Sequence, residues 1–225
     1  MKTLLTGFLV SVISFVYAGE LDSYKASDVL KMPADQLEKL YLLDQCPHPN
    51  CEFNKHSLNP YDLPKVEALA IWRYTGGDYK YLNKALYEGK LEGAEAAHLR
   101  ILDSALAKIP SQKLTVYRGA SKKAKVKVGE VMFFKGYTST SLDQNIAESF
   151  VKRNGYLMII NVNSGKDIME YSNLADEKEM LLPRNLKFRI DQISTTEIMM
   201  NSGDFDDRFE AKKPVNIKTL HLSEI

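Results

Sequence analysis

Three short segments in the second half of the chain carry residue types that could act on a small ligand. In Val116-Tyr117-Arg118-Gly119 a strand-like run ends in an arginine followed at once by glycine. The guanidinium offers a rigid fork of donors matched to a diphosphate or a carboxylate, and glycine lets a ligand approach the backbone. In Gly136-Tyr137-Thr138-Ser139-Thr140-Ser141 the hydroxyls could hold another side chain in place by hydrogen bonds. In Asp176-Glu177-Lys178-Glu179-Met180-Leu181-Leu182 two carboxylates stand two apart at the start of an apolar run. Strand alternation would aim both at one face. Like charges side by side are unfavourable unless a cation, such as part of a substrate, sits between them. Each segment also has a plain structural reading: a surface arginine, a turn or exposed strand face, and a solvated strand end. Taken singly, that reading prevails.

The elements that must position these segments change character along the chain. The front half has helical spacing. Asp35 to Leu43 repeats apolar residues at Leu37, Leu40 and Leu43. Asp62-Leu63-Pro64 reads as a cap and an early-helix proline, opening a helix that runs to Tyr74 and stops at Gly76-Gly77. A short helix follows over Tyr79 to Tyr87. A longer one spans Glu92 to Lys108, with Leu99, Leu102 and Leu106 on one face and Pro110 as its stop. The back half reads as strands: Leu114 to Tyr117, Glu130 to Phe134, Tyr156 to Val162, Glu179 to Leu182, Leu186 to Ser194 and Val215 to Leu222. One helix interrupts them, Asn145 to Arg153, capped by Asp143. Helices first and strands later predict an α+β fold with one sheet system.

The chain has 225 residues, enough for one domain with a real core. Thirty Lys and Arg stand against 29 Asp and Glu, so its charge balance gives no reason to expect nucleic acid or an anionic membrane as partner. Met1 to Ala18 has a basic Lys2, an apolar run from Leu4 to Val16 and a small-x-small end at Val16-Tyr17-Ala18. That is the pattern of a secretory signal peptide, which leaves a single mature domain over 19–225 without a stable membrane anchor. Cys46 and Cys51 bracket a proline-rich loop. Export favours a disulfide between them. The competing metal site, from Cys46, His48, Cys51 and His56, matches no common zinc spacing. His98 and His221 are isolated surface or packing residues, and Asn201 to Asp207 is a polar loop without evident chemistry. The common phosphate-loop, dinucleotide, zinc-protease and nucleophile-elbow signatures are absent.

The order of the three segments says more than any of them alone. An arginine strand, a Ser-Thr-Ser strand and a Glu-x-Glu entering an apolar strand resemble the arginine-directed mono-ADP-ribosyltransferases of the toxin-like Arg-Ser-Glu class. The resemblance covers about Glu92 to Ser194, including the Leu102 to Leu106 helix segment that leads into Tyr117-Arg118-Gly119. Arg118 and Ser139 are 21 residues apart, and Ser139 and Glu179 are 40 apart. With the signal peptide, the chain is similar to the small secreted single-domain bacterial toxins of the Vis type.

That resemblance implies a split β-sandwich with an NAD cleft between two sheets, flanked by N-terminal helices. The helical part would run over about 24–110 and the strand-rich, NAD-binding part over about 111–225. It implies NAD as co-substrate, no metal, a host protein as acceptor and a monomeric enzyme. Arg118 would grip the NAD phosphates, and Gly119 would offer backbone groups to the nicotinamide amide. Ser139 would position Glu179, which would bind the nicotinamide ribose and stabilise its developing cation. Glu177 would orient the target guanidinium and take its proton; relatives directed at asparagine or cysteine carry Gln there. The loop from Tyr171 to Asp176 would shape target recognition, with Tyr171 either an aromatic contact or a packed residue. An NAD glycohydrolase on the same scaffold, or a non-enzymatic secreted binding module, are the alternatives.

Overall fold

At Pro110 the chain passes from helices to strands. The computed structural model describes residues 20–45, 59–121, 125–152, 155–200 and 213–225. The signal-peptide segment, the Cys46–Cys51 pair and the polar loop at 201–207 lie outside the described residues. The chain divides into two compact units, one formed by residues up to Ile109 with Glu170–Asn173, the other by Pro110–Met169 with Leu174–Ile225.

The first unit is helical: α1 (Ala26–Val29), α2 (Ala34–Gln45), α3 (Lys65–Arg73), α4 (Tyr79–Glu88) and α5 (Gly93–Lys108). Helix α5 starts with a reciprocal cap. The Glu92 side chain accepts from the backbone three residues on, and Glu95 accepts from the Glu92 amide. Its inner face buries Ala96, Ala97, Leu99, Leu102, Ala105 and Leu106. The start of α3 differs from the expected Asp62 cap. Pro64 occupies the cap position with no side-chain hydrogen bond, and Asp62 sits in the left-handed region at φ 49°. Asn59 closes this turn instead, donating to the Leu63 carbonyl and accepting from its amide. Beyond Arg73 the chain does not stop at Gly76-Gly77. It continues through a wide turn, Tyr74–Asp78, into α4, with Gly77 at φ 145° making the bend that a side chain would oppose.

The second unit contains β1 (Ser111–Ala120), β2 (Val131–Phe134), β3 (Thr138–Ser141), α6 (Gln144–Ser149), β4 (Tyr156–Asp167), β5 (Glu179–Leu182), β6 (Leu186–Met200) and β7 (Lys213–Glu224). The strand order is β1-β3-β5-β4-β7-β6-β2, with β1 also paired to β4. That double pairing closes β1, β3, β5 and β4 on one another. Strand β1 pairs with β4 from Ser111 to Ala120 but meets β3 only at Tyr117 and Ser141. The short β3–β5 pair is joined back to β4 at Lys166–Leu181 and Asp167–Met180, and apolar side chains fill the interior. Val116, Phe134, Met158, Ile160, Met180, Leu182, Phe188, Ile190, Leu220 and Leu222 form one buried cluster. Each such side chain contributes about 1.5–3 kcal/mol when buried. Strand alternation thus turns Thr138, Thr140, Met180 and Leu182 inward and leaves Ser139, Ser141, Glu179 and Leu181 on the opposite face.

Candidate active site

The site is built on three adjacent strand ends. Strands β1, β3 and β5 are in register at one row, Tyr117 opposite Ser141 and Ser141 opposite Glu179. Neighbouring strands lie about 4.8 Å apart, so this row brings together three segments that are far apart in sequence. Arg118 follows Tyr117 and is half-buried. Its Nη1 donates to the Ser139 carbonyl at 2.5 Å. By alternation Arg118 lies on the face of Val116 and Tyr156. Burial pushes the Tyr156 phenol up, opposed by the nearby Arg118 charge.

Glu179 opens β5 and is buried, with 4% of its surface exposed. Its carbonyl accepts from the Ile168 amide at 3.4 Å. The inner Thr140 hydroxyl donates to the Met180 carbonyl at 2.6 Å, tying β3 to β5 one residue further on. The register puts Ser141 directly across from Glu179 and Ser139 across from Leu181. Ser139 is thus the diagonal neighbour of Glu179 on one face, a separation that long side chains bridge.

Glu177 departs from the strand rule. Ala175–Glu177 forms a single turn, and Lys178 is left-handed at φ 47°, ψ 51°. The two glutamates therefore do not share a strand face by alternation, because strand geometry begins only at Glu179. A non-glycine residue in this region costs about 1–3 kcal/mol and persists only where its surroundings hold it. Here the Ser141 hydroxyl donates to the Glu177 carbonyl at 2.7 Å, and the Leu142 amide donates to the Lys178 carbonyl at 3.2 Å. Lys178 Nζ meets Asp143 Oδ2 at 3.0 Å. Burial raises the Glu177 carboxyl above the usual glutamate range. The hydrogen bond from Lys178, then that from the Asn145 amide, lowers the Asp143 carboxyl.

Gly119 serves packing. A Cβ built there would lie 2.1 Å from the Ala147 carbonyl oxygen and 2.9 Å from the Val151 nitrogen. The position a side chain would take is filled by the end of α6. That helix stops at Ser149, short of the expected Arg153, as its last turn closes over β1. Asp143 caps it as expected, accepting from the Asn145 amide at 3.0 Å.

Tyr171 is a packed residue and not an exposed contact. It is 2% exposed, at the end of a short turn Met169–Tyr171, in the Glu170–Asn173 segment of the helical unit. Its hydroxyl donates to Asn59 Oδ1 and accepts from the Tyr61 amide, and its ring stacks on Tyr61. The phenol thus both donates and accepts within the helical unit.

Sequence reasoning singled out Arg118, Ser139, Glu177 and Glu179, and the strand register brings their segments side by side. It gave Ser141, Asp143 and Lys178 no part in the site beyond a hydroxyl run, a helix cap and a charged strand end, whereas together they hold the turn before β5. A serine two residues before a helix-capping aspartate was the one available signal.

No helix among the described residues is long and apolar enough to cross a membrane. The ADP-ribosyltransferase exoenzyme family model matches residues 52–208. The chain is 36% identical over 137 residues to a putative NAD(+)–arginine ADP-ribosyltransferase, Mav, of Mycobacterium avium, covering 59% of this chain and 16% of that protein. It is 33% identical over 147 residues to a second putative NAD(+)–arginine ADP-ribosyltransferase, Vis, of Vibrio splendidus, covering 58% of each. The chain thus spans less than two thirds of the curated relatives it matches. In fold it is similar to Vis bound to agmatine, with a TM-score of 0.57 at 23% identity over 88% of this chain and 90% of the other. It is also similar to Exoenzyme S of Pseudomonas aeruginosa in complex with human 14-3-3 protein beta and Carba-NAD. There the TM-score is 0.58 at 22% identity, covering 88% and 86%.

Proposed function

The chain belongs to the ADP-ribosyltransferase exoenzyme family, and from that premise we propose that it is a secreted toxin-like enzyme that transfers ADP-ribose from NAD to an arginine of a host protein. The observation that carries this reading is the row Tyr117–Ser141–Glu179, which joins the arginine, hydroxyl and carboxylate segments across three strands. Similarity to a protein solved with Carba-NAD and another solved with agmatine supports NAD as donor and a guanidinium as acceptor.

The chemistry follows from the residue types. Arg118 holds the diphosphate of NAD through charge-assisted hydrogen bonds. The bond between ribose C1′ and the nicotinamide nitrogen breaks, and its electron pair leaves with nicotinamide. The ribose becomes oxocarbenium-like, as in glycoside hydrolysis. Glu179, beside the ribose, stabilises that positive charge, with Ser139 positioning it. A guanidinium nitrogen of the acceptor then attacks C1′, and its proton passes to Glu177. No step in this scheme calls for a metal.

The test is a single preparation incubated with NAD, with and without agmatine. Nicotinamide release together with ADP-ribosyl-agmatine is the expected result. Release with no product on agmatine or on protein acceptors would make water the acceptor and the enzyme a glycohydrolase. No release at all would overturn the reading.

A further inference from the structure

We propose that the ion pair between Lys178 and Asp143 is a latch that positions Glu177 for the acceptor step, a role that rests on the transferase reading above. Glu177 stands outside the β5 ladder, so the strand pairing that holds Glu179 does not hold it. Its placement depends on the next residue, Lys178, whose left-handed backbone must be maintained from outside the turn.

The outside support is the junction between β3 and α6. Asp143 is fixed there at three points. Its Oδ1 accepts from the Asn145 amide at 3.0 Å, its amide donates to Ser141 Oγ at 3.0 Å, and its Oδ2 faces Lys178 Nζ at 3.0 Å. The same junction holds the turn by backbone, through Ser141 Oγ to the Glu177 carbonyl and the Leu142 amide to the Lys178 carbonyl. The lysine between the two glutamates is therefore directed at a rigid strand–helix corner. Moving it would move the peptide that carries Glu177, while Glu179 would stay in its ladder. The latch should act on acceptor use and not on NAD cleavage.

The pair is solvent-accessible, with 55% of the Lys178 side chain exposed. Its effect should be modest and screened by salt. Asp143→Asn retains an oxygen for the helix cap and removes the charge; Lys178→Met removes the cation and keeps the stem. In each, kcat/KM for agmatine should fall about two- to fivefold while nicotinamide release into water and Tm stay unchanged. Lys178→Arg should restore transfer. The double variant should be no worse than either single, since both remove one interaction. Adding 0.5 M salt should lower the transfer-to-release ratio of the wild type and leave that of the variants unmoved. Singles that add, an unchanged ratio, or release and transfer falling together with Tm would overturn the latch alone. A wild-type protein that releases no nicotinamide would overturn the transferase reading and the latch with it.

Discussion

Arg118 and Ser139, 21 residues apart in sequence, meet through a hydrogen bond from the guanidinium to the serine carbonyl. The contact uses the backbone of Ser139 and leaves its hydroxyl for another partner. It also fixes one nitrogen of the guanidinium fork to β3, so the remaining donors are presented in a set direction.

A lysine cannot reproduce that arrangement, because it carries one flexible ammonium in place of a planar fork. Arg118→Lys and Arg118→Ala should both weaken NAD binding, each charge-assisted hydrogen bond being worth about 1.5–3 kcal/mol. Isothermal titration of the protein with NAD measures this. Full affinity in a folded Arg118→Ala protein would remove Arg118 from the site.

The two glutamates should separate in function as they do in backbone. Glu179→Gln should collapse nicotinamide release and transfer alike, by roughly a hundred- to a thousandfold. Glu177→Gln should lose transfer to agmatine while keeping appreciable release. Measuring both activities on one preparation decides the matter; equal loss of both in Glu177→Gln would end the division of labour.

Burial raises the Glu177 carboxyl, and this has two consequences. The acceptor step needs the ionised form, so transfer should rise with pH through a value above the ordinary glutamate range, a dependence absent from release by Glu177→Gln. Between the unfolded and the raised folded pKa, the folded state binds more protons, so this group's contribution to stability falls as pH rises through that window. Glu177→Gln should therefore raise Tm at pH 7, with the gain vanishing below the usual glutamate range. A Tm difference independent of pH would contradict the assignment.

His98 should act in the opposite sense. It is buried in the helical unit, its Nε2 donating to the Ala70 carbonyl at 2.9 Å, and burial lowers its pKa to about 4. The unfolded chain takes up this proton near pH 6.5, whereas the folded chain does so only near 4. Stability should fall as pH drops between those values, by at most about 3 kcal/mol. Urea unfolding from pH 7.5 to 4 measures it, and His98→Gln should flatten the curve; parallel curves would exclude His98 as the cause.

Gly119→Ala places a methyl 2.1 Å from the Ala147 carbonyl oxygen. No rotamer relieves a Cβ clash with backbone, so α6 must lift from β1. A loss of about 1–3 kcal/mol or more is expected, as for overpacking, seen as a lower denaturant midpoint. A midpoint equal to wild type would show that the helix end yields freely.

The change from helix to strand at Pro110, the strand at Glu179–Leu182, the Asp143 cap and the order of the arginine, hydroxyl and carboxylate segments can all be read from the residues in line. These are legible because hydrophobic period, proline and capping chemistry act over a few neighbouring residues. Fold comparison with Vis and Exoenzyme S agrees with the α+β expectation drawn from that order. Which hydroxyl stands opposite Glu179 depends on how the distant strands β3 and β5 meet, and their register places Ser141 there. The tertiary structure also turned Glu177 out of the strand through a left-handed lysine, filled the space over Gly119 with a helix end, and buried Tyr171 against Asn59 and Tyr61. Each of these rests on contacts between residues distant in sequence, where local propensity carries no information about the partner.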